Sequence, residues 1–412
     1  MSSTFAWLDY SARERRAMLE VVDLFREKGT VDELGLGVIR DAFADRLFPG
    51  TSTLHSRARY WLFVPWLYFQ LEGERTTSAW ADERARRLQA DLVRALEAGG
   101  ESEGVIGIEA RDKVLRPPAV LYWAGLQRHG IRLVSGSIGR YHASLDSFYA
   151  SGGHRRSEGD ETELVDPGRR NGHAGLPAVP AGFLERTDFS LLVPEAEYLR
   201  ERFVTSAPES FLAWGLLKPT RLEKVSFPWE HPHLNSAAPE LRRVVETGRR
   251  FSLLMYGAVL VYNLAMAERA ALLGLRDATL VDEYRTAYRG WAEDRLAPDL
   301  ALLRGWDRAE LWSLIEQLAP GRVHRTRLFA ERWIGRLLAD PATAPDDPAI
   351  RVLIADRERL MKGGLARLHN ERALERWNGR SGVSELGYRW GEGRILLDDI
   401  GAALRPARPG RA

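Results

Sequence analysis

Few residues in this sequence have the types and spacing that chemistry needs, and they are scattered. Glu230, His231 and His233 in WEHPHLN place two imidazoles and a carboxylate within four residues. A His-x-His pair can ligate a metal ion when a third ligand arrives from elsewhere in the fold. With added carboxylates, such a site would serve a metal-dependent nuclease. Pro232 between the two histidines fits an extended turn without a metal as well. Glu109, Asp112 and Lys113 in IEARDK have the residue types of a magnesium-dependent nuclease. Those sites put carboxylates on adjacent strands with a lysine two positions beyond one of them. That spacing is missing here, so the segment reads as a charged, solvated turn.

A third group is basic. The periodicity predicts a short helix over 37–48, a stop at Pro49-Gly50, and a second helix capped by Thr51-Ser-Thr. Ser52, His55, Ser56 and Arg59 then share a polar face opposite Leu54, Ala58 and Trp61, with Arg57 beside them and Arg40 and Arg46 on the preceding helix. This helix-turn-helix-like unit could contact phosphates or base edges of double-stranded DNA. The same layout also describes two amphipathic helices packing with their polar sides in water. Residues 117–149, with Arg128, Arg132, Arg140 and His142, repeat the pattern. From residue 362 onward basic residues outnumber acidic ones, and Arg380, Arg389 and Arg394 in WNGRSGVSELGYRWGEGR form a second candidate surface for nucleic acid or an acidic partner.

Other chemistry finds no support. There is no G-x-x-x-x-G-K-[ST] phosphate loop, H-E-x-x-H helix, G-x-S-x-G elbow or kinase signature set. The sequence has no cysteine, which excludes disulfides, thiolate metal sites and cysteine nucleophiles. No cofactor is expected. The formal net charge of +2 is small for a nucleic-acid protein. The positive charge is nearly all arginine, since lysine occurs only at 28, 113, 218, 224 and 362.

The elements that must position these residues are helices. Ser11 and Glu14 form a capping box for a first helix ending near Lys28-Gly29, with Met18, Leu19, Val22 and Phe25 as its apolar stripe. Further helices are predicted over 78–98, 117–129, 135–149, 185–202, 207–216, 237–273, 278–293, 307–318, 324–339 and 347–377. Residues 151–182 lack apolar periodicity and read as a linker between a 1–150 domain and a 183–404 domain. At most one short β-hairpin is expected, from SGVSELGYRW and GRILLD, and 405–412 reads as a disordered tail. The most apolar stretch, FSLLMYGAVLVYNLAMA, is shorter than a membrane span and is expected to be a core helix. The amino terminus lacks a signal-peptide pattern, so a cytoplasmic location without membrane contact is expected.

Four stretches together resemble a family of bacterial proteins of unknown function. They are FAWLDYSARERRAML, DELGLGVIRDAFADRLFPGTSTLHSRARYWLFVPW, RPPAVLYWAGLQRHGI, and LHNERALERWNGRSG with GYRW. Members of that family are similar to accessory proteins encoded beside helicases and phospholipase-D-like nucleases in anti-phage islands. The resemblance implies a non-catalytic component of a defence complex, with helicase or nuclease subunits as partners and DNA nearby. It brings no catalytic residues. A metal-dependent nuclease and a purely structural scaffold subunit remain the alternatives.

Overall fold

The computed structural model describes residues 32–109, 116–150, 172–382 and 384–405. The predicted helix over 11–28, Asp112 with Lys113, most of the 151–182 segment, and the tail beyond 405 lie outside them. The described residues are mainly α-helical and contain no strand, only one isolated bridge between Arg132 and Gly172.

Helix boundaries follow local chemistry. The Asp32 carboxylate accepts from the amides of Leu36 (2.5 Å) and Gly37 (2.7 Å), capping α1 (Gly37–Leu47). Pro49 and the left-handed Gly50 (φ +74°) end it. Then come α2 (Tyr60–Gly73), α3 (Ala81–Ala98), α4 (Pro118–Arg128), α5 (Ile138–Ala150), α6 (Val193–Ser206) and α7 (Phe211–Leu216). The long α8 (Pro239–Leu272) is followed by α9 (Thr279–Trp291), α10 (Leu300–Arg304), α11 (Arg308–Leu318), α12 (His324–Ala339) and α13 (Pro348–Lys362). Two further helices, α14 (Glu371–Glu375) and α15 (Trp390–Leu404), complete the set.

Two expected helix boundaries are corrected. The helix expected from Thr51 begins at Tyr60, because residues 51–59 satisfy their polar groups through tertiary partners rather than along a helix. The helix expected over 347–377 breaks at Gly363-Gly364, where Gly363 takes φ +56°. No strand occurs among the described residues, within the expectation of at most one short hairpin. Its second arm, GRILLD, lies inside α15, which buries Trp390, Gly393, Leu396, Leu397 and Ile400 at helical spacing. Six residues of apolar run are too few to separate the two periods.

The described chain forms two compact units, and neither is a consecutive block. One joins Asp41–Glu246 with the residues from Gly387 onward, so it takes in parts of both predicted domains and the segment between them. Its core is α2, which is buried on nearly every side: Tyr60, Trp61, Phe63, Trp66 and Tyr68 are each at most 2% exposed. Around it Phe203 of α6 meets Trp61 edge-on, Phe183 and Phe189 pack on Phe63, and the Trp66 indole donates to the Pro177 carbonyl.

The other unit joins residues up to Arg40 with Thr247–Leu386. Its centre is the later part of α8. That helix is long and apolar enough to cross a membrane, but 78% of its apolar window is buried by the protein, as a core helix would be. Trp333 of α12 donates to the Leu254 carbonyl, and Trp291 of α9 lies over Gly257.

That last contact makes a test. A Cβ at Gly257 would sit 2.3 Å from the Trp291 ring. Gly257→Ala is therefore expected to destabilise by about 1–3 kcal/mol through overpacking. Gly290→Ala in α9, with nothing within 4 Å, should raise stability slightly. Thermal melts of the two variants should move in opposite directions; a rise in both would refute the close packing.

Candidate functional site

The structure uses the side chains of the expected basic face internally. Arg46 donates to the Glu209 carbonyl and pairs with its carboxylate at 3.4 Å. Arg40 and Ser52 are half-buried. His55 is 6% exposed, stacks on Tyr122 at 4.0 Å between centroids, and places Nε2 3.0 Å from the Leu121 carbonyl. A carbonyl only accepts, so Nε2 carries the proton. The Ser56 hydroxyl donates to the Gly104 carbonyl at 2.7 Å. Arg57 forms a two-pronged pair with Asp399 of α15 (3.0 and 3.1 Å), and the same carboxylate accepts from the Ala58 amide (2.9 Å). Arg59 does likewise with the buried Glu195 (3.1 and 2.9 Å) and donates to the Asp188 carbonyl. The two helices of the expected helix-turn-helix-like unit are present, but the second is the buried α2, and twelve residues connect them.

The carboxy-terminal group is dispersed. Arg394 donates to the carbonyls of Leu222 and Glu223. Arg389 reaches Asp45 and the Thr51 carbonyl at 2.9 Å, and both it (φ +60°) and Tyr388 (φ +52°) are left-handed. Such a conformation costs a non-glycine residue about 1–2 kcal/mol. Arg380 is exposed, and its guanidinium has no ion-pair partner among the described residues.

The histidine pair is split in character. His231 is buried against Trp214 (4.7 Å) and Phe211 (5.7 Å), and its Nδ1 accepts from the His233 amide. His233 is exposed, and the Glu230 carboxylate is occupied by the amides of Ser226 and Phe227. Among the described residues no three His, Asp or Glu side chains could hold a metal together.

Two arrangements are not among the candidates drawn from the sequence. The first is α12, HRTRLFAERWIGRLLA. It buries Thr326, Phe329, Ala330, Trp333, Ile334, Leu337 and Leu338, so its basic residues must face outward. Arg327 lies over the Trp312 ring at 5.5 Å and Arg336 pairs with Asp347 at 3.0 Å. Arg325 and Arg332 are exposed with no ion-pair partner among the described residues. Glu331, the helix's single acid, is taken by Arg308 at 2.9 Å and by the Trp312 indole.

The second holds that helix in place. Arg357 of α13, 4% exposed, donates to the carbonyls of Leu34 (2.7 Å), Gly35 (3.1 Å) and Arg325 (3.3 Å), and to the Thr326 hydroxyl (2.9 Å). One turn on, Lys362 pairs with Glu33 and lies 3.6 Å from Glu358, while Arg367 pairs with Glu33 at 2.9 Å. Glu358, fully buried, also accepts from Tyr262 and from the amides of Arg367 and Leu368. Burial and the Arg367 guanidinium pull the Lys362 ammonium down to about 7.

Three buried imidazoles give a pH test. Burial pulls His55, His129 and His231 from 6.5 to about 4. The unfolded chain therefore binds more protons than the folded one between pH 6.5 and 4, and stability must fall as pH falls through that window. Each histidine contributes on the order of 2–3 kcal/mol by pH 4 at 1.36 kcal/mol per unit. Urea midpoints measured from pH 7.5 to 4.5 should drop accordingly; a flat profile would show that these rings are not buried neutral.

Comparison with known proteins gives one match. No curated protein and no solved structure is similar to the chain. A family model described as a family of unknown function matches residues 1–403, nearly the full length. Since that match spans far more than half of the sequence, the chain belongs to that family of unknown function, DUF6361.

Proposed function

We propose that this protein is a non-catalytic accessory component of a bacterial anti-phage defence complex, acting in the cytoplasm with helicase or nuclease subunits and contacting double-stranded DNA through α12. The sequence resemblance supports the defence setting. The observation that carries the DNA reading is the outward face of α12. There Arg325, Leu328, Arg332 and Arg336 follow one another at helical spacing, and the only acid of the helix is already paired. Arg325 to Arg336 spans roughly 16 Å at 1.5 Å per residue, a distance over which duplex DNA offers several phosphates. Guanidinium groups bind phosphate oxygens in two-pronged fashion and are only weakly hydrated beforehand.

The neighbouring fold supports this use. Arg357 fixes the first turn of α12 to α13 and to the Leu34-Gly35 backbone, so the start of the face is held in place by buried hydrogen bonds. A preorganised surface loses less entropy on binding than one that must order.

Arg325→Glu with Arg332→Glu, both exposed, should leave folding intact and weaken duplex DNA binding at least tenfold in a gel-shift titration. The slope of log affinity against log salt should become shallower by about 2, one unit for each phosphate no longer neutralised. Equal affinity of variant and wild type at low salt would remove α12 as the DNA contact.

A further inference from the structure

The exposed side of α12 has an internal order beyond its number of arginines. At roughly 100° per residue, Arg325, Arg332 and Arg336 fall within about 40° of one another and form one row. Arg327, also exposed, lies about 160° round from Arg325, on the other edge of the exposed arc. His324, Leu328, Gly335 and Ala339 occupy the strip between, all exposed and within about 60° of one another. Glu331 lies between that strip and Arg327, half-buried, with its charge met by Arg308.

The strip is short-chained and apolar rather than cationic. Leu328 is 49% exposed at its middle. A Cβ at Gly335 would meet nothing within 4 Å, so no part of the protein uses the space there. Glycine inside a helix is normally a cost, because it loses more backbone freedom on folding than alanine does. What the missing side chain makes room for is a surface approaching the helix from outside.

A helix laid in the major groove of a duplex meets this pattern. The groove is about 12 Å wide, close to the roughly 10–12 Å diameter of a helix with its side chains, and the minor groove at about 6 Å is too narrow. Phosphate backbones form both walls, which suits a cationic row on each edge of the helix. Base edges form the floor, thymine methyls among them, which suits short and apolar side chains between the rows. His324 stands in the first turn, the part of a recognition helix that reaches base edges. A lipid surface would require more apolar area than one leucine presents.

We infer that α12 lies along the major groove with His324, Leu328 and Gly335 toward base edges and its arginines on the two backbones. The inference rests on the reading of α12 as the duplex contact, and adds that this contact reads sequence.

The test compares duplexes of one sequence and charge in gel-shift titrations of the full-length protein. In one duplex glucosylated hydroxymethylcytosine replaces cytosine, so that sugars fill the major groove; in another deoxyuridine replaces thymidine, which removes the methyls. The glucosylated duplex should bind roughly tenfold or more weakly. The deoxyuridine duplex should bind about threefold more weakly to the wild type, as expected for one lost buried methyl, and without loss to Leu328→Ala. Equal affinity for plain and glucosylated duplexes would overturn the groove assignment while leaving α12 as a backbone contact. A deoxyuridine loss undiminished in Leu328→Ala would remove that residue from the base edges. No binding of the plain duplex would instead sink the duplex reading itself, and the inference with it.

Discussion

A single carboxylate organises the larger unit. Asp399, near the end of the described chain, accepts both nitrogens of the Arg57 fork and the Ala58 amide. It thereby anchors the two residues that lead into α2 from 341 residues away in sequence. Charge-assisted, two-pronged bonds are geometrically demanding. Once this one forms, α15 is fixed against the entrance of the most buried helix in the unit. The arrangement also explains the discontinuous composition of the units: Asp41–Glu246 is not complete until the chain returns at Gly387.

The same dependence sets what can be read from sequence. Helices whose limits are local are legible: α12 occupies 324–339 as its periodicity predicts, and α4 starts at its prolines and ends before the left-handed Gly130. The stretch 51–59 misleads because Thr51-Ser-Thr is a sound cap in isolation. Its groups are instead committed to Tyr122, Gly104, Asp399 and Glu195, none of which is near in sequence. The arginines of that stretch do not make a free surface for the same reason, since nothing local shows that Arg57 and Arg59 have distant carboxylates. The basic face of α12 is legible in principle. Basic residues crowd its sixteen positions against one acid, a local excess that a whole-chain charge of +2 conceals.

The smaller unit shows a different use of charge. Glu33, Glu358, Lys362 and Arg367 are largely removed from water, and buried ion groups of this sort contribute less to stability than an apolar core of equal volume would. The Glu358 carboxylate accepts from Tyr262 and from the amides of Arg367 and Leu368 together, which ties the chain that follows α13 back to that helix. The neighbouring Arg357 holds the first turn of α12 through the Arg325 carbonyl and the Thr326 hydroxyl.

Tyr388 and Arg389, the consecutive left-handed residues that precede α15, bear on how the larger unit responds to its surroundings. The backbone there would be easier with glycine, but glycine could neither fill the space beside Phe43 nor hold Asp45. The bend is thus kept in tension by an aromatic contact, which salt leaves untouched, and by an ion pair whose aspartate is 66% exposed, which salt screens. Ionic strength acts on half of the clasp and not on the other. The return of the chain into α15 is therefore sensitive to the electrolyte without being governed by it.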